Sequence, residues 1–463
     1  MIELMKHQKL AVEKARTTPN MALFMEAGVG KSGTLIRILA EEFNRQKRIC
    51  NTLIFAPLTV CAQWKPEFGK FSMVPQEHIH VLVGDGKKRT KQLEMVTKPC
   101  IVVTNYESVQ IKTFYEALLA WSPEIVVLDE SHRIKDSQAK RSKAIYLLSV
   151  GARRRFLLTG TPVVNSLLDI FGQFKALNPA FFGGGFWTFR NRYFYDKNAG
   201  RQFSYPEWIA RPEAAEHIGK VIGAVAVQAK REDCLDLPPL SQIQVPVEMS
   251  PQQAKAYNEM RKEFLTSIGD KIMSSEFEMV KTLRMQQILA GFIQPDDTDD
   301  AAWFDDQPRL TALMDLVDSI GKAQFIVWTT FRPTYRKIGA ALEKESITHG
   351  FLTGEQTQKE KQDAIEQFKA GKLQALVANP AAASEGINLQ EAGYAMSYMR
   401  GYNLLHFLQS LARNYRSGTE KLHSRVVHYH LIARATLDEV IAKALINKED
   451  VGKAVLKWAK ESA

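Results

Sequence analysis

Adjacent carboxylates at the end of an apolar run, Ile125-Val126-Val127-Leu128-Asp129-Glu130-Ser131-His132, are the clearest chemistry in this chain. A strand that delivers two acids to one point can hold a divalent cation with the first, Asp129, and orient and deprotonate a water with the second, Glu130. Upstream stands Met25-Glu26-Ala27-Gly28-Val29-Gly30-Lys31-Ser32, with the apolar Met21-Ala22-Leu23-Phe24 before it and the helix-like Thr34-Leu35-Ile36-Arg37-Ile38-Leu39 after it. In such a strand, glycine-rich turn and helix start, the backbone N–H groups of Gly28, Val29 and Gly30 turn inward around phosphate oxygens. Lys31 then reaches the β- and γ-phosphates, and Ser32 ligates Mg²⁺ beside Asp129. Met25 stands where the strict G-x-x-x-x-G-K-[ST] pattern has its first glycine, so the match is partial. Alone, the segment could be a glycine-rich surface turn. With Asp129 and Glu130 on a later strand, ATP and Mg²⁺ are the expected ligands.

A third set lies far down the chain. From Tyr402 to Tyr415 the apolar Leu405, Leu408, Ala412 and Tyr415 recur at helical spacing, while Gln409, Arg413 and Arg416 sit at i, i+4 and i+7 on one face. A solvated polar face would show the same pattern. Arginines brought to a γ-phosphate from a second lobe stabilise the transition state only in a closed cleft, a role that Arg413 and Arg416 fit, with Gln409 positioning water or coupling the lobes.

These residues need sheets to hold them. Short apolar strands are expected at Thr52 to Ala56, His80 to Val83, Ile101 to Thr104, Ile125 to Leu128 and Arg155 to Thr159. A second series follows at Gln324 to Thr329, Thr348 to Leu352, Ala375 to Ala378, Tyr394 to Met399 and Val426 to Leu431, with helical stretches such as Glu360 to Lys369 between them. That rhythm predicts an α/β fold of two parallel sheets flanked by helices. We place the lobes at 1–228 and 229–463, with a helical insertion at about 250–290 in the second. The aromatic stretch from Phe181 to Tyr195 could stack on bases, but its density argues for packing of a small protrusion. The acidic run Asp296-Asp297-Thr298-Asp299-Asp300 reads as a solvated loop.

At 463 residues, with 45% hydrophobic content, two or three domains are expected. The net charge of +10 favours a polyanionic partner, nucleic acid first. Cys50, Cys61, Cys100 and Cys234 lie far apart without metal-type spacing, as in a reducing compartment. The N-terminus lacks a signal-like apolar segment, and no run approaches the roughly 18 apolar residues of a membrane span, so a soluble cytoplasmic protein is expected.

The order Gln8, GVGKS, APLTV, DESH, LTGTP, GINL and Q-x-x-x-R-x-x-R resembles helicase superfamily two over the whole chain. Within it, Asp129 to Lys135, Thr159-Gly160-Thr161-Pro162-Val163-Val164-Asn165, Lys230-Arg231 before Leu237-Pro238-Pro239, and Glu385-Gly386-Ile387-Asn388-Leu389 look like the Swi/Snf-like ATPases. Phe182-Gly183 and Gln409 to Gly418 are similar to the short members carried by bacteriophages. The resemblance implies two RecA-like lobes with helical protrusions between them, closing on ATP and Mg²⁺. It implies that Gln8 reads the adenine edge, that Gly386 and Asn388 face the nucleotide, and that Thr159 and Thr161 couple hydrolysis to movement. Thr59, Thr104, Asn105, Tyr106, Thr353 and Gly354 would grip the nucleic-acid backbone. Arg133 and Lys135 would add charge there, although one of them could instead pair with a nearby carboxylate. Ala383-Ser384 in place of a usual glycine pair, and Met399 where an aspartate is common, depart from the pattern.

The implied activity is a nucleic-acid-dependent ATPase, a monomeric motor translocating on duplex or branched DNA in phage replication or recombination, and hence in the host cytoplasm. The competing readings are a strand-separating DNA or RNA helicase and an ATP-gated DNA-binding regulator with little turnover. A phosphate-loop metabolic kinase is disfavoured by the second lobe and LTGTP.

Overall fold

The computed structural model describes residues 3–96, 99–164, 166–200, 206–269, 275–294, 300–383 and 387–447, with 451, 454, 455, 457 and 458 beyond them. Asn165, the acidic residues 296–299 and Ser384-Glu385-Gly386 lie outside the described residues, so the expectation for Gly386 has no structural counterpart. The chain divides into two compact units, Met1–Leu235 and Asp236–Ala463.

The first unit is built on β1 (Asn20–Met25), β2 (Thr52–Ala56), β3 (Ile79–Val81), β4 (Ile101–Asn105), β5 (Ile125–Asp129), β6 (Arg154–Leu158) and β9 (Ala226–Ala229). Between β6 and β9, β7 (Phe194–Asp196) and β8 (Trp208–Ala210) form a separate antiparallel ribbon. The seven strands run in the order β3-β4-β2-β5-β6-β1-β9, and each pair is parallel. A parallel sheet covered on both faces needs apolar residues at every position rather than at alternate ones. β5 shows this directly: Val126 and Leu128 enter one core, Ile125 and Val127 the other. The register sets up the chemistry, since Leu158 of β6 faces Leu23 of β1 on one side and Asp129 of β5 on the other. The glycine-rich turn after β1 and the acids ending β5 therefore emerge at the same edge of the sheet.

The second unit carries β10 (Leu240–Val247), β13 (Phe325–Trp328), β14 (His349–Leu352), β15 (Ala375–Ala378), β16 (Tyr394–Ser397) and β17 (Val426–Ala433), with a small hairpin of β11 (Phe292–Ile293) and β12 (Ala302–Trp303). Its six-stranded sheet has the order β10-β17-β16-β13-β15-β14, again all parallel. The insertion consists of the helices Pro251–Gly269 and Ser275–Ala290, whose Tyr257, Phe264, Met285, Ile288 and Leu289 join the core of this unit.

Three details differ from the sequence reading. The boundary placed after residue 228 falls after Leu235, because β9 is an edge strand of the first sheet and the Arg231 N–H donates to Glu26 Oε2 at 3.1 Å. β10 was not anticipated: Ser241, Gln242 and Gln244 make it too polar to stand out, yet it pairs with β17 over eight residues. The helix carrying Gln409 and Arg413 ends at Asn414, so Arg416 lies beyond it and does not continue its face. There the Asn414 amide donates from Nδ2 to Ala392 O at 3.0 Å and accepts at Oδ1 from His428 Nε2 at 2.9 Å, tying the helix end to the sheet.

Most of the aromatic stretch packs inward. Phe182, Phe189, Tyr193 and Phe194 are buried in the first core, and Trp187 and Tyr195 are its exposed members.

Candidate functional site

After β1 the chain turns through Gly28 and Gly30, both at φ +89°, into the helix Lys31–Gln46. That left-handed backbone is open to glycine at little cost, which explains why these two positions punctuate the loop. Gly30 is the N-cap residue, and its carbonyl receives the Thr34 N–H and hydroxyl at 3.0 and 2.9 Å. The helix start thus points its free N–H groups and positive dipole end into the loop, the arrangement that binds phosphate. Lys31 Nζ donates to Met25 O at 2.9 Å, laying its ammonium across the loop.

The first helix, Lys6–Thr17, supports this loop from behind. Gln8 is buried; its Nε2 donates to Gly30 O at 3.3 Å and its Oε1 accepts the Met5 N–H at 2.8 Å, while a His7 ring nitrogen meets Val29 O at 2.9 Å. Glu26 anchors the other side by accepting from Arg231.

Across β6, Asp129 is buried and accepts the Trp64 indole N–H at 3.3 Å. Burial first, and then the neighbouring Glu130 charge, push its carboxyl up to about 7, with Lys31 and Trp64 opposing. Two acids side by side with incomplete compensation suit a divalent cation, so Ser32 and Asp129 fit a magnesium ion on the chemistry of the donors.

Glu130 sits at φ 54°, ψ 54°, a left-handed conformation costing a non-glycine residue about 1–2 kcal/mol. That strain turns its carboxylate toward the LTGTP segment: Thr159 Oγ1 donates to Glu130 Oε2 at 3.3 Å. The same hydroxyl lies 3.1 Å from His132 Nδ1 and accepts the Thr161 N–H at 3.1 Å, and His132 Nδ1 is 3.4 Å from Glu130 Oε2. A second bridge joins the segments, since Ser131 Oγ donates to Gln173 Oε1 at 2.8 Å while Gln173 Nε2 donates to Pro162 O at 2.6 Å. Gly160 permits the approach of LTGTP to the loop, because a Cβ there would stand 3.1 Å from Glu26 Cα and from Met25 O.

Gln173, Trp64 and Glu26 were missed in the sequence. A glutamine inside the apolar Phe171-Gly172-Gln173-Phe174 was the available signal, since a fully buried polar side chain must find partners.

The expected backbone-gripping residues divide. Thr104 and Tyr106 are fully buried, their hydroxyls donating to Leu82 O and Asp129 O at 2.7 Å, which supports β4 and β5. Asn105 is buried between Arg89 and Glu107. Arg133 lies 3.6 Å from Glu107 and Lys135 3.7 Å from Asp169, so each has a carboxylate partner. Thr59 is half-buried, its hydroxyl without a hydrogen-bond partner among the described residues. In the second unit the Thr353 N–H and hydroxyl both donate to Gln356 Oε1, turning the chain so that Gly354 is exposed.

Also in the second unit, Arg413 is buried, donating from Nε to Gln409 O at 2.9 Å and from NH1 to Ile387 O at 3.0 Å. Its guanidinium therefore braces the segment containing Asn388. Gln409 Oε1 and Asn388 Oδ1 are enclosed without partners among the described residues, while the Arg416 N–H donates to Thr419 Oγ1 at 3.2 Å.

A glycine-rich loop at a helix start, a lysine across it and an acid pair two strands away define a phosphate-loop nucleoside triphosphatase. The chain belongs to the SNF2-related family: the model of the SNF2-related domain matches residues 7–298, and that of the helicase conserved C-terminal domain matches residues 308–418. It is accordingly a nucleic-acid-dependent ATPase of the helicase and translocase type. An uncharacterized ATP-dependent helicase of Mycoplasma genitalium is 23% identical over 98% of this chain, which spans 42% of that protein's length. A putative protein of Acyrthosiphon pisum secondary endosymbiont phage 1 is 24% identical over 94% of this chain and 93% of its own. The Sulfolobus solfataricus SWI2/SNF2 ATPase core in complex with dsDNA aligns at a TM-score of 0.44 with 21% identity, covering 99% of this chain and 95% of that one. Among the described residues no helix is long and apolar enough to cross a membrane.

Proposed function

We propose that this protein is an ATP-driven translocase that moves along duplex or branched DNA, as a monomer, in phage replication or recombination. The observation that carries this is the shared hydroxyl of Thr159, which links the candidate base Glu130 and His132 to LTGTP. A motor must transmit the state of its γ-phosphate to the surface that holds its track, and a hydroxyl bonded to the base is a physical means of doing so.

In this reading the loop from Gly28 to Lys31 binds the ATP phosphates. Ser32 and Asp129 would hold magnesium, which neutralises phosphate charge. Glu130 orients and deprotonates the attacking water, and Arg413 and Arg416 supply positive charge to the transferring phosphoryl group. Gln8 would reach the adenine edge by exchanging one of its two backbone bonds. Gln409 and Asn388 have enclosed oxygens without a hydrogen-bond partner among the described residues, in keeping with roles toward water or nucleotide. Thr59, Thr104, Asn105, Tyr106, Thr353 and Gly354 would contact the nucleic-acid backbone, with Arg133 and Lys135 adding field to the extent that their carboxylate partners allow.

Triplex displacement and strand displacement measured on the same preparation test the reading. ATP should drive loss of the third strand while blunt and tailed duplexes stay paired, and Thr159→Ala should lower triplex displacement more than ATPase rate. Robust unwinding would make the protein a strand-separating helicase. ATP-dependent DNA binding without either displacement would make it a gated binder.

A further inference from the structure

The strand order of the second sheet creates a crevice whose lining includes none of the residues assigned above to ATP hydrolysis. From β13 the chain passes to one side for β14 and β15, then returns to the other side for β16 and β17. β13 and β16 therefore flank a topological switch point, where open parallel sheets bind ligands beyond the carboxyl ends of their strands. A cavity of about 90 Å³ lies there, lined by Trp328, Asn379, Ser397, Arg400, Asn403 and Ser410 among others. At ~10–15 Å³ per water, it takes several waters or one tetrahedral oxyanion, but no nucleoside.

Among the described residues, the charges on and behind the wall of this cavity, which Arg400 lines, do not balance. Arg309 and Arg400 are both buried and share one carboxylate, Asp438, at 2.6 and 3.6 Å. His430 nearby is held neutral, its pKa pushed down to about 2 by burial and then by Arg400 and His428. Two guanidinium charges against one carboxylate leave a positive charge enclosed, a costly arrangement without a counter-ion. The donors are also incompletely used. Arg400 NH1 reaches Leu431 O at 3.4 Å, but its NH2 has no hydrogen-bond partner among the described residues, and neither has Trp328 Nε1. Buried donors in folded proteins are nearly always paired. The helix Leu404–Asn414 begins at the same cavity with Asn403 as its N-cap, and its amino end adds partial positive charge.

We propose that this cavity binds a small free oxyanion, inorganic phosphate or sulfate, between the Arg400 guanidinium and the Trp328 indole N–H. The assignment is independent of the ATPase reading. A phosphate of a nucleic-acid backbone carries the same chemistry, and the experiment separates the two sources. The indole ¹⁵N–¹H resonance of Trp328, identified by its loss in Trp328→Phe, is followed in the full chain carrying Lys31→Ala, which weakens phosphate binding at the glycine-rich loop. Inorganic phosphate should move it saturably and raise the melting temperature in step. Arg400→Met should weaken both responses at least tenfold. Trp328→Phe, read by melting temperature, serves as the second variant should Arg400→Met fail to fold, and should lose at least threefold in apparent affinity. A shift produced by a short DNA duplex in phosphate-free buffer but not by phosphate would overturn the free-anion assignment. No shift, or an unsaturable one that chloride reproduces, would overturn the site.

Discussion

Glu130 is held in a strained backbone conformation with its carboxylate on Thr159, and strain of this kind persists only where surrounding contacts fix it. Replacing the carboxylate by an amide keeps size and hydrogen bonding but removes the base. Glu130→Gln should lower kcat by ~10²–10⁴-fold while a fluorescent ATP analogue still binds, and unchanged kcat would remove Glu130 from the mechanism. Gln173 acts at one remove, holding Ser131 and Pro162 together from a fully buried position. Gln173→Leu leaves those partners unsatisfied, which costs ~1–3 kcal/mol in urea denaturation. If the bridge positions LTGTP, kcat should fall while KM for ATP stays within a factor of about two, and Gln173→Glu, which retains an acceptor for Ser131, should recover part of it.

The helix after the glycine-rich loop is fixed by its far end as well as by the phosphate site. Glu42 of Lys31–Gln46 is buried and accepts from Arg153 at 2.7 Å and from Arg154 of β6 at 2.6 Å, while Arg154 also donates to Ala15 O of the first helix at 2.6 Å. Burial alone would raise the Glu42 carboxyl, but the hydrogen bonds from Arg153 and Arg154 hold it at about 2. A folded pKa below the unfolded value contributes stability that is present above about pH 4.5 and is lost as pH falls toward 2. Glu42→Ala should cost on the order of 3 kcal/mol at neutral pH in urea denaturation, because the buried Arg154 charge loses its carboxylate. It should also flatten the acid limb of the stability profile; a variant that keeps that limb would place the acid sensitivity elsewhere. These elements also show what a sequence can reveal. β5 and β15 were legible because a fully buried parallel strand is an uninterrupted apolar run, and the glycine-rich turn because its φ values demand glycine. β10 was hidden by the polar residues an edge strand tolerates. Periodicity carried the helix face one turn too far, to Arg416, because the interactions that stop the helix at Asn414 come from Ala392 and His428, distant in sequence. The burial of the Thr104 and Tyr106 hydroxyls was hidden for a related reason: a hydroxyl beside a strand end looks the same in sequence whether it meets solvent or a neighbouring carbonyl.

For the whole molecule, the net charge of +10 and the membership of the SNF2-related family favour a polyanionic partner. DNA affinity should therefore fall steeply with salt, by ~10³-fold or more between 50 and 200 mM if six or more phosphates are contacted; a flat dependence would mean that charge contributes little to the grip. The paired state of Arg133 and Lys135 suggests that much of this charge acts as a field rather than as dedicated contacts. Whether hydrolysis answers to DNA is read from the ATPase rate compared at fixed salt across single-stranded DNA, duplex, fork, four-way junction and RNA. The rate should be low without nucleic acid and strongly stimulated by duplex-containing DNA, with the stimulation abolished in Glu130→Gln. A rate indifferent to all of these ligands, or raised by RNA alone, would contradict that dependence on DNA.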